Sequence, residues 1–180
     1  LDAWTNRREQ AIDQAAKLTG HLQKVADGLS ASGDLSSELL RMATSRLQEA
    51  FDSTHGGFGR APKFPHSMDL QMLLRSWKRW PQDETLKMVT LSLDKMARGG
   101  IFDHLAGGFA RYSVDERWLV PHFEKMLYDN ALLTGLYLDG YLITGNEEYG
   151  RVARQTLNYL LADMTDDCGG FHSTEDADSE

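Results

Sequence analysis

Apolar residues recur along this chain at spacings of three, four and seven positions, as expected for helices that bury one face. The first segment shows the pattern most regularly, at Trp4, Ala11, Leu18 and Val25. Proline and glycine residues interrupt the pattern and set the ends of the segments. The sequence therefore predicts six helices, over residues 2–26, 35–51, 67–80, 83–98, 121–144 and 146–164.

The fifth predicted helix differs from the others because its second half, residues 131–143, is apolar on nearly every side. A helix of that kind is expected to be buried all round. No segment forms a convincing strand, and residues 109–114, the only β-leaning stretch, are expected to make at most a loop hairpin. The predicted fold class is therefore all-α.

A Gly-Gly-Phe motif occurs three times between the predicted helices, at residues 56–58, 107–109 and 169–171. Recurrence at about the length of a helical hairpin indicates a repeat architecture, in which each unit buries its apolar face against its neighbours. Short connections alternate with long ones, and each long loop contains one motif. Because short connections make consecutive helices antiparallel, the three long loops are expected at one end of the helix stack. The residues that should meet there are His55, Arg60, His104, Arg111, His122 and Glu175.

The charge distribution and the composition exclude several classes of function. The net charge is −8, and no Lys or Arg follows Arg154, so the basic surface of a nucleic-acid-binding protein is missing. No apolar run reaches the roughly 20 residues of a membrane span, and no membrane partner is expected. The single cysteine, Cys168, leaves no internal disulfide and fits a reducing, cytoplasmic location. The chain opens at Leu1 rather than at Met, as expected of a segment excised from a longer polypeptide.

The densest group of titratable residues lies in residues 118–130, Trp-Leu-Val-Pro-His-Phe-Glu-Lys-Met-Leu-Tyr-Asp-Asn. A proline at the first helical position would place His122 at a helix N-terminus, where the dipole lowers the imidazole pKa and favours a neutral base. Glu124 would then occupy the first turn, which acidic residues favour. Asp129 follows Lys125 by four positions, so a surface ion pair is the alternative interpretation for these two residues.

Further titratable residues are expected at the same end. Asp103 stands next to His104, which suggests an acid/base pair, and the last loop offers Glu175 and Asp176. The first loop carries Arg60 beside two prolines that stiffen it. Most of the histidines lie on or beside these loops, but no His-x3-His or Cys/His spacing supports a metal site. Neither a metal nor another cofactor is expected.

Four segments, residues 57–65, 100–113, 118–130 and 175–180, together resemble one known family. They are similar to the thioredoxin-domain-containing family that includes bacterial YyaL-type proteins and the spermatogenesis-associated homologue of animals. The resemblance covers about residue 41 to the end of the chain, and the segment from His122 to Asn130 is its most specific part. It implies an N-terminal thioredoxin-like domain followed by an (α/α)6 toroid related to six-hairpin glycosidases and sugar 2-epimerases.

This resemblance implies that residues 1–180 are the first half of such a toroid, with three of its six helical hairpins. The thioredoxin-like domain and its cysteine motif are absent from the sequence, so no redox activity carries over. The family's molecular function is unsettled, and the fragment itself is expected to be inactive. Three hairpins leave two open flanks, so the fragment is expected to form a homodimer in which each half-toroid covers the other.

Two classes of function remain open. The first is a carbohydrate-active site of epimerase or glycosidase type, in which a small sugar is the partner and titratable side chains serve as acid and base. Its candidate catalytic residues are His122, Glu124, Asp103 and Glu175. Its candidate substrate-binding residues are Arg60, His104, Arg111, Tyr112, Trp118, Tyr128, Asp129 and Asp176. The second is a non-catalytic scaffold or binding module that positions the thioredoxin-like domain or a partner protein, with the same residues satisfying buried loop backbone groups.

Overall fold

The computed structural model describes Trp4, residues 7–28 and residues 36–178. The chain divides into two units, Leu1–Ser37 and Glu38–Glu180. Helix α1, Arg8–Gly28, lies in the first unit, so its pairing with the next helix in a first hairpin stays a prediction. The predicted starts of the first two helices, at residues 2 and 35, lie outside the described residues.

The remaining helices follow the sequence pattern closely. They are α2 (Ser37–Ala50), α3 (Ser67–Arg79), α4 (Asp83–Arg98), α5 (Leu127–Thr144) and α6 (Glu147–Ala162). Pro81 separates α3 from α4, as predicted. Gly145 ends α5 in the left-handed conformation with φ 68°, and the side chain of Asn146 caps α6 by accepting a hydrogen bond from the amide of Glu148. Mostly helical structure is therefore confirmed.

The start of α5 is the main correction, because the helix begins at Leu127 rather than at Pro121. Residues 121–122 and 125–126 instead form short strands, which the sequence did not predict. Strand β1 (Tyr112–Ser113) pairs antiparallel with β2 (Pro121–His122), and β3 (Lys125–Met126) pairs with β4 (Thr174–Glu175). The backbone groups of this segment thus bond to distant loops, so they are not available for a first helical turn.

The core forms where α3, α4, α5 and α6 pack together. Leu133, Leu136 and Tyr137 of α5 are fully buried in it, and the Tyr137 hydroxyl donates to the Leu93 carbonyl at 2.8 Å. The expectation that α5 is buried all round is wrong, however, because Leu138 and Leu142 are exposed. Three neighbouring helices cover most of the surface of α5 and leave this face open.

Each Gly-Gly-Phe motif closes a turn that begins at an aspartate: turn 1 (residues 52–58), turn 2 (residues 103–109) and turn 3 (residues 166–171). The long loops that contain these turns lie side by side, as predicted. Lys63 pairs with Ser113 across the first two loops, and Lys125 pairs with Glu175 across the second and third. The loops therefore meet at one end of the helix stack, where they can form a joint surface.

Candidate functional site

Two aspartates fasten turns 1 and 2. The Oδ1 atom of Asp103 accepts hydrogen bonds from the amides of Leu105 and Ala106, and its Oδ2 atom lies 2.9 Å from Nζ of Lys125. Partial burial disfavours the charged carboxylate, but these amides and the ammonium outweigh that effect and lower the pKa of Asp103. The geometry gives Asp103 a structural contact where sequence analysis proposed an acid.

The same arrangement holds turn 1. Asp52 accepts from the amides of Thr54 and His55, and its Oδ2 atom lies 2.6 Å from Nζ of Lys63, which is fully buried. Burial opposes the charge on Asp52, and the Lys63 ammonium and the loop amides outweigh it and lower its pKa. The Lys63 ammonium also lies 5.2 Å from the centre of the Trp118 ring.

Trp118 packs against turn 1, and this corrects its proposed role as a wall for a sugar. Its side chain is completely buried, and its indole nitrogen donates to the His55 carbonyl at 2.8 Å. A ring with no exposed face cannot stack on a ligand. Trp118 therefore fills space beneath turn 1.

A second group of charges lies where β2 leads into α5. Arg111 donates from its guanidinium to the carboxylate of Glu124 at 2.9 Å, and its backbone amide donates to the Glu124 carbonyl. Asp129, on the first turn of α5, is half-buried and accepts no hydrogen bond from any described residue. Burial raises the pKa of Asp129 to about 6, Arg111 opposes the shift and the Glu124 charge adds to it. A carboxyl group with that pKa exchanges protons near neutral pH, as acid and base catalysts do.

An aromatic stack lies next to these charges. The Tyr112 ring contacts two others, Phe64 at 4.8 Å and His122 at 4.6 Å, measured between ring centres. The register of β1 and β2 sets this stack because it places Tyr112 opposite His122. Phe64 and the neighbouring Tyr128 are partly exposed, so aromatic faces remain accessible.

His122 lies on β2, so its predicted position at a helix N-terminus is wrong. Its Nδ1 atom is buried and has no hydrogen-bond partner among the described residues. A buried polar atom without a partner in a native structure calls for an explanation, because leaving one unsatisfied is costly. His122 thus stays a candidate for contact with a ligand.

The other predicted residues are dispersed along the loop end. Glu175, on β4, accepts a hydrogen bond of 2.6 Å from the Tyr159 hydroxyl, and Asp176 is exposed beside it. His104 bonds the Gly99 carbonyl and borders a groove of about 380 Å³ with Asp103 and other residues. Arg60 borders a different groove, of about 560 Å³, beside turn 1. Arg111, Tyr112, His122, Glu124, Tyr128 and Asp129 form the compact group, which we call the Arg111 cluster.

The residues that hold the loops in place were not predicted from the sequence. Lys63 and Lys125 are buried although lysines are rarely buried, and Asn130 is fully buried at the start of α5. Asn130 accepts from the amide of Phe109 and donates to its carbonyl, which fixes turn 2. The sequence did hold one signal for these fastened turns, an aspartate four positions before each of the first two glycine pairs.

No family model matches the chain. The spermatogenesis-associated protein 20 of the rat is 36% identical over 185 residues, which cover 99% of this chain and 23% of the rat protein. The mouse protein of the same name is 45% identical over 138 residues, 74% of this chain and 18% of its own length. The chain is a homologue of spermatogenesis-associated protein 20. It spans about a quarter or less of the curated relatives that it matches.

Solved structures show the fold. A sugar epimerase from a ruminal bacterium has a TM-score of 0.67 at 16% identity, covering 78% of this chain and 40% of the epimerase. Cellobiose 2-epimerase from Spirochaeta thermophila has a TM-score of 0.63 at 19% identity, covering 78% and 41%. The GH76 α-mannanase from Bacteroides thetaiotaomicron has a TM-score of 0.58 at 14% identity, covering 69% and 37%. The chain therefore has the helical-hairpin toroid fold of these carbohydrate enzymes, as predicted.

Within the described residues, no group of three or more His, Cys, Asp or Glu side chains is arranged to hold a metal ion. No helix in the described part of the chain is both long and apolar enough to cross a membrane.

Proposed function

We propose that the loop end of this toroid binds a carbohydrate, and that the Arg111 cluster is its recognition and proton-transfer site. The observation that carries the proposal is Asp129, a half-buried carboxyl group whose pKa is raised to about 6 beside the Arg111–Glu124 ion pair. Carboxylates and a guanidinium offer the paired hydrogen bonds that sugar hydroxyls accept and donate. Tyr128, which is partly exposed beside Arg111, offers an apolar wall for the C–H face of a sugar ring.

The assignment of roles within this site follows from the contacts. Asp129 and His122 are the groups that can exchange a proton, because neither has a hydrogen-bond partner among the described residues that fixes its proton. Glu124 is held by Arg111 and is suited to orient a hydroxyl group. Asp103 and Glu175 are weaker candidates for proton transfer, because Lys125 already donates to Asp103 and the Tyr159 hydroxyl already donates to Glu175. Epimerisation or glycoside cleavage would each need the acid/base pair that this site offers.

The test uses the full-length polypeptide that carries these residues, with cellobiose and mannose as probes in a calorimetric titration. The Asp129→Asn variant is expected to lose about tenfold or more in affinity at pH 7, because an amide cannot accept the charged hydrogen bonds of a carboxylate. Asp139→Asn is the matched control, since Asp139 is exposed on the same helix. Unchanged affinity in Asp129→Asn, or equal losses in both variants, would refute the assignment.

Stability separates a site residue from a structural one. The pKa of Asp129 is raised in the folded state, so the unfolded chain releases this proton more readily. The free energy of unfolding therefore falls as the pH rises from about 4 to about 6, and it stays lower above that range. Asp129→Asn is therefore expected to raise the melting temperature at pH 8 more than at pH 4. Thermal melts of the 180-residue chain at the two pH values measure this. A variant that is destabilised at pH 8 would indicate a structural role.

A scaffold is the second candidate, and specific contacts favour it. Three loop residues bond groups that are already part of the fold. Asp52 and Asp103 accept from loop amides and pair with buried lysines, and Asn130 bonds the loop backbone. In that case the loop end would position a partner protein or another domain, and no sugar would bind. The titration above distinguishes the two, because a scaffold predicts no heat with either sugar.

We also propose that the 180-residue chain self-associates. Two pairs of leucines are exposed, Leu138 with Leu142 on α5 and Leu157 with Leu161 on α6. Burying such side chains is favourable in free energy, so an exposed group of them is typical of an interface. A two-fold dimer would cover each pair with the same surface of a second copy. Light scattering at micromolar concentration is expected to show a dimer, and Leu142→Glu is expected to shift it towards monomer. A monodisperse monomer would contradict this prediction.

A further inference from the structure

Turns 1, 2 and 3 share one backbone design. In each, the amide of the leading aspartate donates to the carbonyl of the second glycine, and the amide of the first glycine donates back to the aspartate carbonyl. The leading residues are Asp52, Asp103 and Asp166, and each carboxylate accepts from an amide two positions later. Turn 3 is one residue shorter than turns 1 and 2, so the three turns are compared at the leading aspartate and at the two glycines.

Turns 1 and 2 are each clamped by the helical hairpin that follows. Lys63 reaches Asp52 from the loop just before α3, and Lys125 reaches Asp103 from the strand just before α5. An aromatic ring lies against each ammonium, with Tyr159 of α6 at 4.2 Å from Lys125. Each clamp thus consists of an aspartate of one repeat, and a lysine and an aromatic ring that come later in the chain.

The second helix of that following hairpin covers the glycines. A Cβ atom on Gly56 would lie 2.8 Å from Cα of Ser92 on α4, and one on Gly107 would lie 2.6 Å from the Gln155 carbonyl oxygen on α6. Such close approach of two backbones is possible only at glycine. In turns 1 and 2 the glycine pair is therefore a docking surface for the next hairpin.

Turn 3 has the aspartate and the glycines without this cover. A Cβ atom on Gly169 or Gly170 would meet nothing within 4 Å, and Phe171 is 53% exposed, against 6% for Phe58 in turn 1. Among the described residues no Lys or Arg pairs with Asp166; the amide and the thiol of Cys168 bond its carboxylate, and His172 lies near its charge. The sequence itself holds no Lys or Arg after Arg154.

We propose that turn 3 is the docking site for a fourth helical hairpin of the full-length polypeptide, and that Asp166 receives a lysine ammonium from the residues just before that hairpin. Charge complementarity supports this occupant, since the two preceding turns each bind a lysine at the equivalent carboxylate. The length of the relatives supports it too, because this chain spans 18–23% of the mammalian proteins. A ring at the position of Tyr159 in that hairpin would lie against the ammonium.

Cys168, exposed on turn 3, reports on the docking. We expect N-ethylmaleimide to alkylate Cys168 about tenfold more slowly in the full-length polypeptide than in the 180-residue chain, as read by mass spectrometry of its peptide. Asp166→Asn keeps the acceptor for the Cys168 amide but loses the charge, so it should raise the full-length rate several-fold. Because the Cys168 thiol also bonds Asp166, the same variant of the 180-residue chain measures the direct effect on the thiol, and the proposal predicts a larger increase in the full-length polypeptide. Asp167→Asn, the exposed neighbour, is the matched control and should leave the rate unchanged.

A zero-length carbodiimide cross-link identifies the partner group. The proposal predicts a cross-link from Asp166 to a lysine that lies shortly before a helix in the same polypeptide. Equal alkylation rates in the two proteins, equal effects of Asp166→Asn and Asp167→Asn, a cross-link to another protein, or a polypeptide that ends at Glu180 would each overturn it.

Discussion

Lys63→Ala is expected to lower the free energy of unfolding by about 3 kcal/mol or more, since it leaves Asp52 beneath the loops without its cation. The same substitution also removes the contacts between the lysine stem and Trp118. Lys63→Met keeps that stem and removes only the charge, so the difference between the two variants separates packing from pairing. Chemical denaturation of each variant measures both effects.

Lys17→Ala is the matched control for this experiment. The Lys17–Asp13 pair has the same 2.6 Å distance as the Lys63–Asp52 pair, but its side chains are 75% and 60% exposed, against 0% and 19%. Water screens such a surface pair, and its loss is expected to change stability by no more than about 0.5 kcal/mol. Equal effects of Lys17→Ala and Lys63→Ala would show that the buried clamp contributes nothing beyond an ordinary surface pair.

Gly107→Ala is expected to destabilise the chain by about 2–5 kcal/mol, whereas Gly169→Ala should cost about 1–2 kcal/mol. Both glycines are the first of the pair in their turns, with φ of 88° and 85°, so an alanine at either position causes a similar backbone strain. Only at Gly107 does the new Cβ atom also collide with the Gln155 carbonyl. Thermal and denaturant melts compare the two, and equal losses would refute the role of turn 2 as a packing surface.

Much of the helical framework could be predicted because its determinants are local. Helices α3 and α4 each have one apolar face, and Pro81 marks the break between the two helices. Gly145 and Asn146 mark the end of α5 and the cap of α6 in the same way. Such signals need no knowledge of the remainder of the chain.

The start of α5 could not be predicted, because distant partners decide it. Residues 121–126 have the composition of a first helical turn, but Lys125 pairs with Glu175, which lies 50 positions further along the chain. The structural role of Asp103 could not be predicted either. Sequence alone does not distinguish a carboxylate that faces a groove from one that accepts hydrogen bonds from loop amides. The grouping of Arg111 with Glu124 and Asp129 likewise depends on the β1–β2 pairing.

Titration of the Asp129 carboxyl group by carbon-detected NMR, with and without sugar, tests the carbohydrate site most directly. The account predicts that the carboxyl group of the free full-length polypeptide titrates near pH 6, and that cellobiose or mannose shifts this pKa. The Asp139 carboxyl carbon in the same spectra serves as the internal reference, and its signal should not respond to sugar. An Asp129 pKa at the ordinary value of an exposed aspartate, with no response to either sugar, would contradict the account.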